Sequence, residues 1–237
     1  MIDFPIRAKR GVRAMIERRQ FLIGGGAAAV ALGAGGLAGP AQASNPDWVP
    51  GYRAAVDENG LHTQPWFHQG FLDMREDLEE AAASGRRLMV IWEQKGCPYC
   101  LEMHKRNLAL QEINDYIRKH FLVVQLNMWG SREATDFDGK AMEEKALARR
   151  WRVNFTPTVN FFPPTVAEVE GKSGLEAEVA RMPGYLKPAH FLTYMEFVRD
   201  EGYKKDSFQR YLLTKFRAIH DKGGDPFRLD KLTRPQS

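Results

Sequence analysis

Only two cysteines occur in 237 residues, Cys97 and Cys100. Such scarcity excludes a disulfide scaffold of the small secreted kind. It also excludes a structural zinc finger, because two further soft ligands are missing and the histidines form no finger spacing. A purely structural bridge between the pair is a weak reading, since closing so short a loop contributes only about 2 kcal/mol. The chain has no internal repeat, and low complexity is confined to its first 43 residues. The one long apolar run, residues 21–38, is one-third glycine and at the lower edge of spanning length, which makes a poor membrane anchor.

What the first 43 residues do contain reads as an export signal. Arg18-Arg19-Gln20-Phe21-Leu22 is a twin-arginine signature, the apolar run follows, and Ala41-Gln42-Ala43 is a small-x-small cleavage site. Glu17 and Ile23 depart from the commonest twin-arginine form. The apolar region alone does not separate this route from general secretion. The full chain has a formal charge of +4. The leader holds Arg7, Lys9, Arg10, Arg13, Arg18 and Arg19 against Asp3 and Glu17, so its removal leaves a formally neutral remainder. The basic balance therefore gives no reason to expect nucleic acid as a partner. The expected location is the periplasm, with no stable membrane insertion after cleavage. Residues 44–237 are enough to bury a core without staples.

The two cysteines sit in Glu93-Gln94-Lys95-Gly96-Cys97-Pro98-Tyr99-Cys100. A strand-length apolar run, Leu88-Met89-Val90-Ile91-Trp92, precedes the motif, and a helical stretch from Leu101 to Arg106 follows it. A strand, a tight turn and a helix opening on Cys-x-x-Cys form a redox-active arrangement. Unpaired N–H groups and the helix dipole favour a thiolate at the helix start, which is where Cys97 stands. Cys100 lies one turn on, within reach of a mixed disulfide on Cys97. Pro98 suits the first turn, where no N–H is needed.

Elsewhere the pattern alternates strand and helix, giving an α/β fold with a central mixed sheet flanked by helices. Residues 44–70 read as an irregular arm whose aromatics Trp48, Tyr52, Trp66 and Phe67 pack on the domain. A domain over 71–202 follows, then a C-terminal helix and tail over 203–237. Helices are expected over residues 71–83 (with Phe71, Leu72, Leu78 and Ala82 inward), 110–120, 141–151, 188–202 and 207–220. Strands are expected over 121–127 and 159–162, with a hairpin partner in 176–182. Residues 129–140 read as a loop and those from 223 onward as a loose tail.

The chain resembles periplasmic thioredoxins of the SoxW type over about residues 61–211. Four stretches carry the resemblance: Trp92-Glu93-Gln94 with Gly96-Cys97-Pro98-Tyr99-Cys100; Trp129-Gly130 with Thr135-Asp136-Phe137-Asp138-Gly139; Phe155-Thr156-Pro157-Thr158; and Met182-Pro183-Gly184-Tyr185. The resemblance implies a thioredoxin-like fold and thiol–disulfide exchange with no cofactor. It implies disulfide-bearing periplasmic proteins as substrates, among them those of a sulfur-oxidation system, and a membrane thiol-electron carrier that recharges the enzyme. It also implies a cis bond before Pro157, facing the cysteines, with Thr156, Pro157, Pro98 and Tyr99 against the substrate. Thioredoxins keep a buried aspartate six residues before the first cysteine, where this chain has Ile91. Glu93, two residues later on the same strand face, is either its replacement as acid/base group or a surface glutamate.

The motif does not fix direction, since reduction, oxidation and isomerisation all use such a pair. A second class of function is a copper-binding module, because Cys97, Cys100, Met103 and His104 cluster at one helix start and suit Cu(I). An inert adaptor on the same fold is a third, against which the intact cysteine pair counts.

Overall fold

The computed structural model describes residues 47–232. The expected signal and cleavage site, residues 1–43, lie outside the described residues, as do residues 44–46 and 233–237. In chain order the elements are strands β1 (Ala55–Val56) and β2 (His62–Thr63), helix α1 (Met74–Ala83), strand β3 (Arg87–Glu93) and helix α2 (Pro98–Glu102). Helix α2 runs directly into a widened π-turn, Met103–Leu108. Then come α3 (Gln111–His120), β4 (Phe121–Asn127), β5 (Glu133–Thr135), β6 (Ala141–Glu143), α4 (Glu144–Arg150), β7 (Thr158–Phe161) and α5 (Gly174–Ala177). The chain closes with β8 (Ala180–Pro183), α6 (Pro188–Arg199), α7 (Phe208–Asp221) and α8 (Arg228–Lys231).

Four strands form the central sheet in the order β4-β3-β7-β8. β3 runs parallel to β4 and antiparallel to β7, and β8 is antiparallel to β7, so the sheet is mixed. Every residue of β3 is buried because both faces are covered, which is why it reads as a continuous apolar run. Met89 and Ile91 share one face with Phe121, Val123, Val159 and Phe161, under α3 and α6. Leu88, Val90 and Trp92 share the other with Leu122, Val124 and Leu126, under α1 and α4. By the same alternation Glu93 falls on the α3–α6 face.

Several boundaries move for local reasons. α1 begins at Met74 because the Asp73 carboxylate accepts from the N–H groups of Arg75 and Glu76. Before that cap the chain turns through Leu72 at φ 60°, which throws Phe71 outward to 94% exposure; Ala81, not Ala82, faces the core. The 129–140 loop contains β5, which pairs with β6, and β6 takes the first three residues of the helix expected over 141–151. Ser173 and Glu176 make a capping box that starts α5, so the hairpin strand begins only at Ala180. α6 ends at Arg199 rather than Gly202.

The end of the described chain is tied down rather than loose. Leu229 is buried, the Asp230 carboxylate accepts from the Ala189 N–H at 2.8 Å, and Arg228 pairs with Glu112. The arm over residues 47–70 buries Trp48, Tyr52 and Phe67 and hydrogen-bonds along the domain, including His68 N–H to Val123 O at 2.8 Å on the edge strand β4. The Thr135-Asp136-Phe137-Asp138-Gly139 segment is a structural clasp. Phe137 stacks on buried Trp151, and Arg150 reaches both Asp136 and Asp138. That pairing holds the Asp138 carboxyl well below the usual range.

Candidate active site

The sheet delivers the cysteines to one edge. β3 ends at Glu93, the chain turns through Gly96 at φ 72°, and Cys97 becomes the N-cap of α2. Its sulfur accepts the Cys100 N–H at 3.1 Å, so the helix start satisfies one of its orphan donors on Cys97 itself. Pro98 occupies the first turn. The two sulfurs are bonded to each other, with the Cα atoms 5.3 Å apart. Cys97 is 3% exposed and Cys100 is fully enclosed, so the first cysteine is the one that faces outward.

The 155–158 segment closes over Cys97. The Thr156–Pro157 bond is cis. The Thr156 hydroxyl donates to Cys97 Sγ at 3.3 Å, and its carbonyl oxygen lies 3.5 Å from the same sulfur. The loop is braced from both sides: Thr158 Oγ1 donates to Phe155 O at 2.8 Å, and Gly184 N–H donates to Pro157 O at 2.8 Å. Around this point Tyr99, Trp129 and Phe155 are 61%, 64% and 52% exposed, an unusual concentration of aromatic surface. Trp129 is tethered, its indole N–H donating to Gln94 Oε1 at 2.7 Å.

A buried polar network surrounds Glu93, the last residue of β3. Glu93 is fully buried, and so is His104, whose Nε2 stands 2.9 Å from Glu93 Oε1. Gln125 Nε2–H donates to Glu93 Oε2 at 3.1 Å. Gln64 Nε2 lies 3.1 Å from His104 Nδ1 and 2.9 Å from the Tyr52 hydroxyl, which itself donates to His104 O at 2.8 Å. Of the two sequence alternatives for Glu93, the surface position is thus excluded.

The copper reading loses its imidazole. Both ring nitrogens of His104 are engaged, Met103 is fully enclosed, and among the described residues no group of three or more His, Cys, Asp or Glu is placed to hold a metal. Sequence reasoning placed Cys97, Cys100, Thr156 and Pro157 together, and the fold brings them together. It missed Gln64 and Tyr52, whose proximity to His104 is a tertiary fact with no local signal. Among the described residues no helix is long and apolar enough to cross a membrane.

A thioredoxin-fold protein from Helicobacter pylori is 23% identical, over 58% of this chain and 84% of that one, with a TM-score of 0.43. A thioredoxin from Thermus thermophilus is 30% identical over 53% of this chain and 83% of that one, at a TM-score of 0.40. The DsbH oxidoreductase is 16% identical over 64% and 96%, at 0.36. No curated protein matches the chain. The thioredoxin-like domain family matches residues 74–199. A Cys-x-x-Cys pair bonded at the outer end of β3 is, at the level of reaction class, the apparatus of a thiol oxidoreductase. Since the matched span runs through all four strands of the sheet and both sides of the dithiol, the chain belongs to the thioredoxin-like domain family.

Proposed function

We propose that the protein is a periplasmic thiol–disulfide oxidoreductase of the SoxW type that reduces disulfides of partner proteins, among them those of a sulfur-oxidation system. The observation that carries this reading is the placement of Cys97: at a helix N-cap, accepting the Cys100 N–H, under the Thr156–Pro157 segment. Those donors stabilise negative charge on the outer sulfur. In the reduced protein the Cys97 thiolate attacks a substrate disulfide, and one substrate sulfur leaves as thiolate. Cys100 then loses its proton and attacks Cys97 Sγ. The mixed disulfide breaks, the second substrate thiolate departs, and the enzyme is left oxidised as Cys97–Cys100.

Pro98, Tyr99, Thr156 and Pro157 meet the substrate segment, which lies extended against the loop. Glu93 is the acid/base group that handles the Cys100 proton. A membrane thiol-electron carrier restores the dithiol, and export follows the twin-arginine signature at Arg18-Arg19. The test is capture in cells. A Cys100→Ser variant should accumulate mixed disulfides with periplasmic proteins, identifiable after purification. Failure to capture any protein, with the variant folded and exported, would reject the reductase reading.

A further inference from the structure

The arm before the domain, residues 52–64, reaches into the buried network around Glu93. We propose that Tyr52, Gln64 and His104 are positioning residues that hold Glu93 as the proton acceptor for Cys100, making the arm part of the redox apparatus. The inference rests on the thiol–disulfide reading above and deepens it.

The hydrogen-bond directions follow from counting protons. The Tyr52 hydroxyl has one proton, donated to His104 O. Toward Gln64 its oxygen must accept, so the side-chain amide nitrogen of Gln64 donates there. The second amide proton of Gln64 points to His104 Nδ1, which therefore accepts. A neutral imidazole with an accepting Nδ1 carries its proton on Nε2, and Nε2–H donates to Glu93 Oε1. Gln125 is fixed in the same sense: its amide nitrogen serves His62 O as well as Glu93 Oε2. Glu93 is thus set between two donors as a pure acceptor.

The fold places this acceptor usefully. His104 stands four residues after Cys100 on one helical run, so the two share a face. The π-turn beginning at Met103 widens that run where His104 sits, and such widened turns recur at functional sites. Phe67 and His62 close the pocket, their ring centroids 5.9 and 5.7 Å from that of His104. The titratable side chain packed against His104 is His62, which also feels the charges of Glu93 and Lys105. His62 is pushed below its ordinary value, first by burial, so the ring beside His104 favours its neutral form.

During resolution the Cys100 S–H proton passes to the Glu93 carboxylate. The freed Cys100 thiolate forms the S–S bond to Cys97 as the Cys97–substrate bond breaks, and the electron pair leaves on the substrate thiolate. His104 gives up no proton; its fixed Nε2–H orients the carboxylate.

Two measurements test the proposal on the full-length protein. The first is the nitrogen-15 spectrum of His104 in the reduced protein, which should report a neutral ring protonated on Nε2; a ring protonated on Nδ1 would overturn the assignment without any variant. The second is stopped-flow reaction of the reduced protein with dithiobis(nitrobenzoate). Attack by Cys97 releases the first chromophore and resolution by Cys100 the second. Gln64→Met and Glu93→Gln should slow the second release, Glu93→Gln by about 100-fold, and alter its pH profile. The first release should stay within about twofold of wild type. Tyr52→Phe, a milder change, should shift the same phase in the same sense. Unchanged second-phase rates and pH profiles in these variants would refute the role of the network. Loss of both phases in the wild-type protein would instead refute the dithiol reading on which it rests.

Discussion

The hydroxyl of Thr156 donates to Cys97 Sγ across 3.3 Å, from a loop separated from the cysteine by 59 residues in sequence. With the Cys100 N–H it gives the outer sulfur two donors. A hydrogen bond to a charged group contributes about 1.5–3 kcal/mol, so removing this one should raise the Cys97 pKa by roughly one unit or more. Thr156→Val should therefore shift the pH midpoint of Cys97 alkylation upward while leaving the labelled residue the same. An unshifted midpoint would mean that the Cys100 N–H and the helix start alone set the thiolate.

The exposed aromatics around the dithiol predict a division between small and large substrates. Trp129→Ala and Phe155→Ala should raise the KM for a disulfide-bonded protein by about tenfold each, the magnitude of a buried aromatic anchor. Reaction with a small aromatic disulfide should change little, since the hydrogen bonds to Cys97 Sγ come from Thr156 and the Cys100 N–H rather than from either ring. Equal losses on both substrates would assign these residues to the chemistry of the pair.

Asp77 predicts a stability change with pH. Burial pushes its carboxyl up to about 6, against the opposing charge and hydrogen bond of His68 at 3.0 Å. A carboxyl whose folded value is raised stabilises the fold below its unfolded value, and that contribution disappears as pH rises through the folded one. The wild-type protein should thus lose on the order of 2 kcal/mol between about pH 4 and pH 6 through this group. Asp77→Asn should remove that slope in denaturant titrations across the window. A variant whose pH dependence parallels wild type would contradict the assignment.

Gly174 sits where no side chain fits. A Cβ there would stand 2.1 Å from the ring of Trp151, which is fully buried among Phe137, Phe162 and Trp92. Its N–H also donates to Asp136 Oδ1 at 2.8 Å, tying the clasp to α5. Gly174→Ala should lower stability by about 2 kcal/mol through overpacking, read as a lower denaturant midpoint at unchanged slope.

The legible parts of this chain were those whose physics is local or doubly buried. β3 and β7 show as apolar runs because both sheet faces are covered, β4 shows by its imperfect alternation and β-branched residues, and the dithiol shows because strand, turn and helix start are contiguous. β5 and β6 left no mark, since three residues carry too little periodicity to distinguish strand from loop or helix. The Ser173–Glu176 capping box is a readable start signal for α5, whose last two residues fall in the stretch expected as the hairpin strand. Phe71 looked like a core residue by spacing, yet the Asp73 cap starts the helix after it and leaves it outside. His104 reads as a metal-binding side chain because its partners lie elsewhere in the sequence: Gln64 is 40 residues upstream, and Glu93 reaches it only across the packed strand and helix. The π-turn that carries it has no recognised sequence signature.

The most direct measurement is the site of adduct formation in single-cysteine variants. Reduced Cys100→Ser and Cys97→Ser proteins are each mixed with a disulfide-bonded peptide at mildly acid pH, and the adducts are mapped by mass spectrometry. The account predicts a rapid, stable peptide adduct on Cys97 in the first variant and little or none on Cys100 in the second. Faster adduct formation on Cys100, or no adduct in either folded variant, would contradict it.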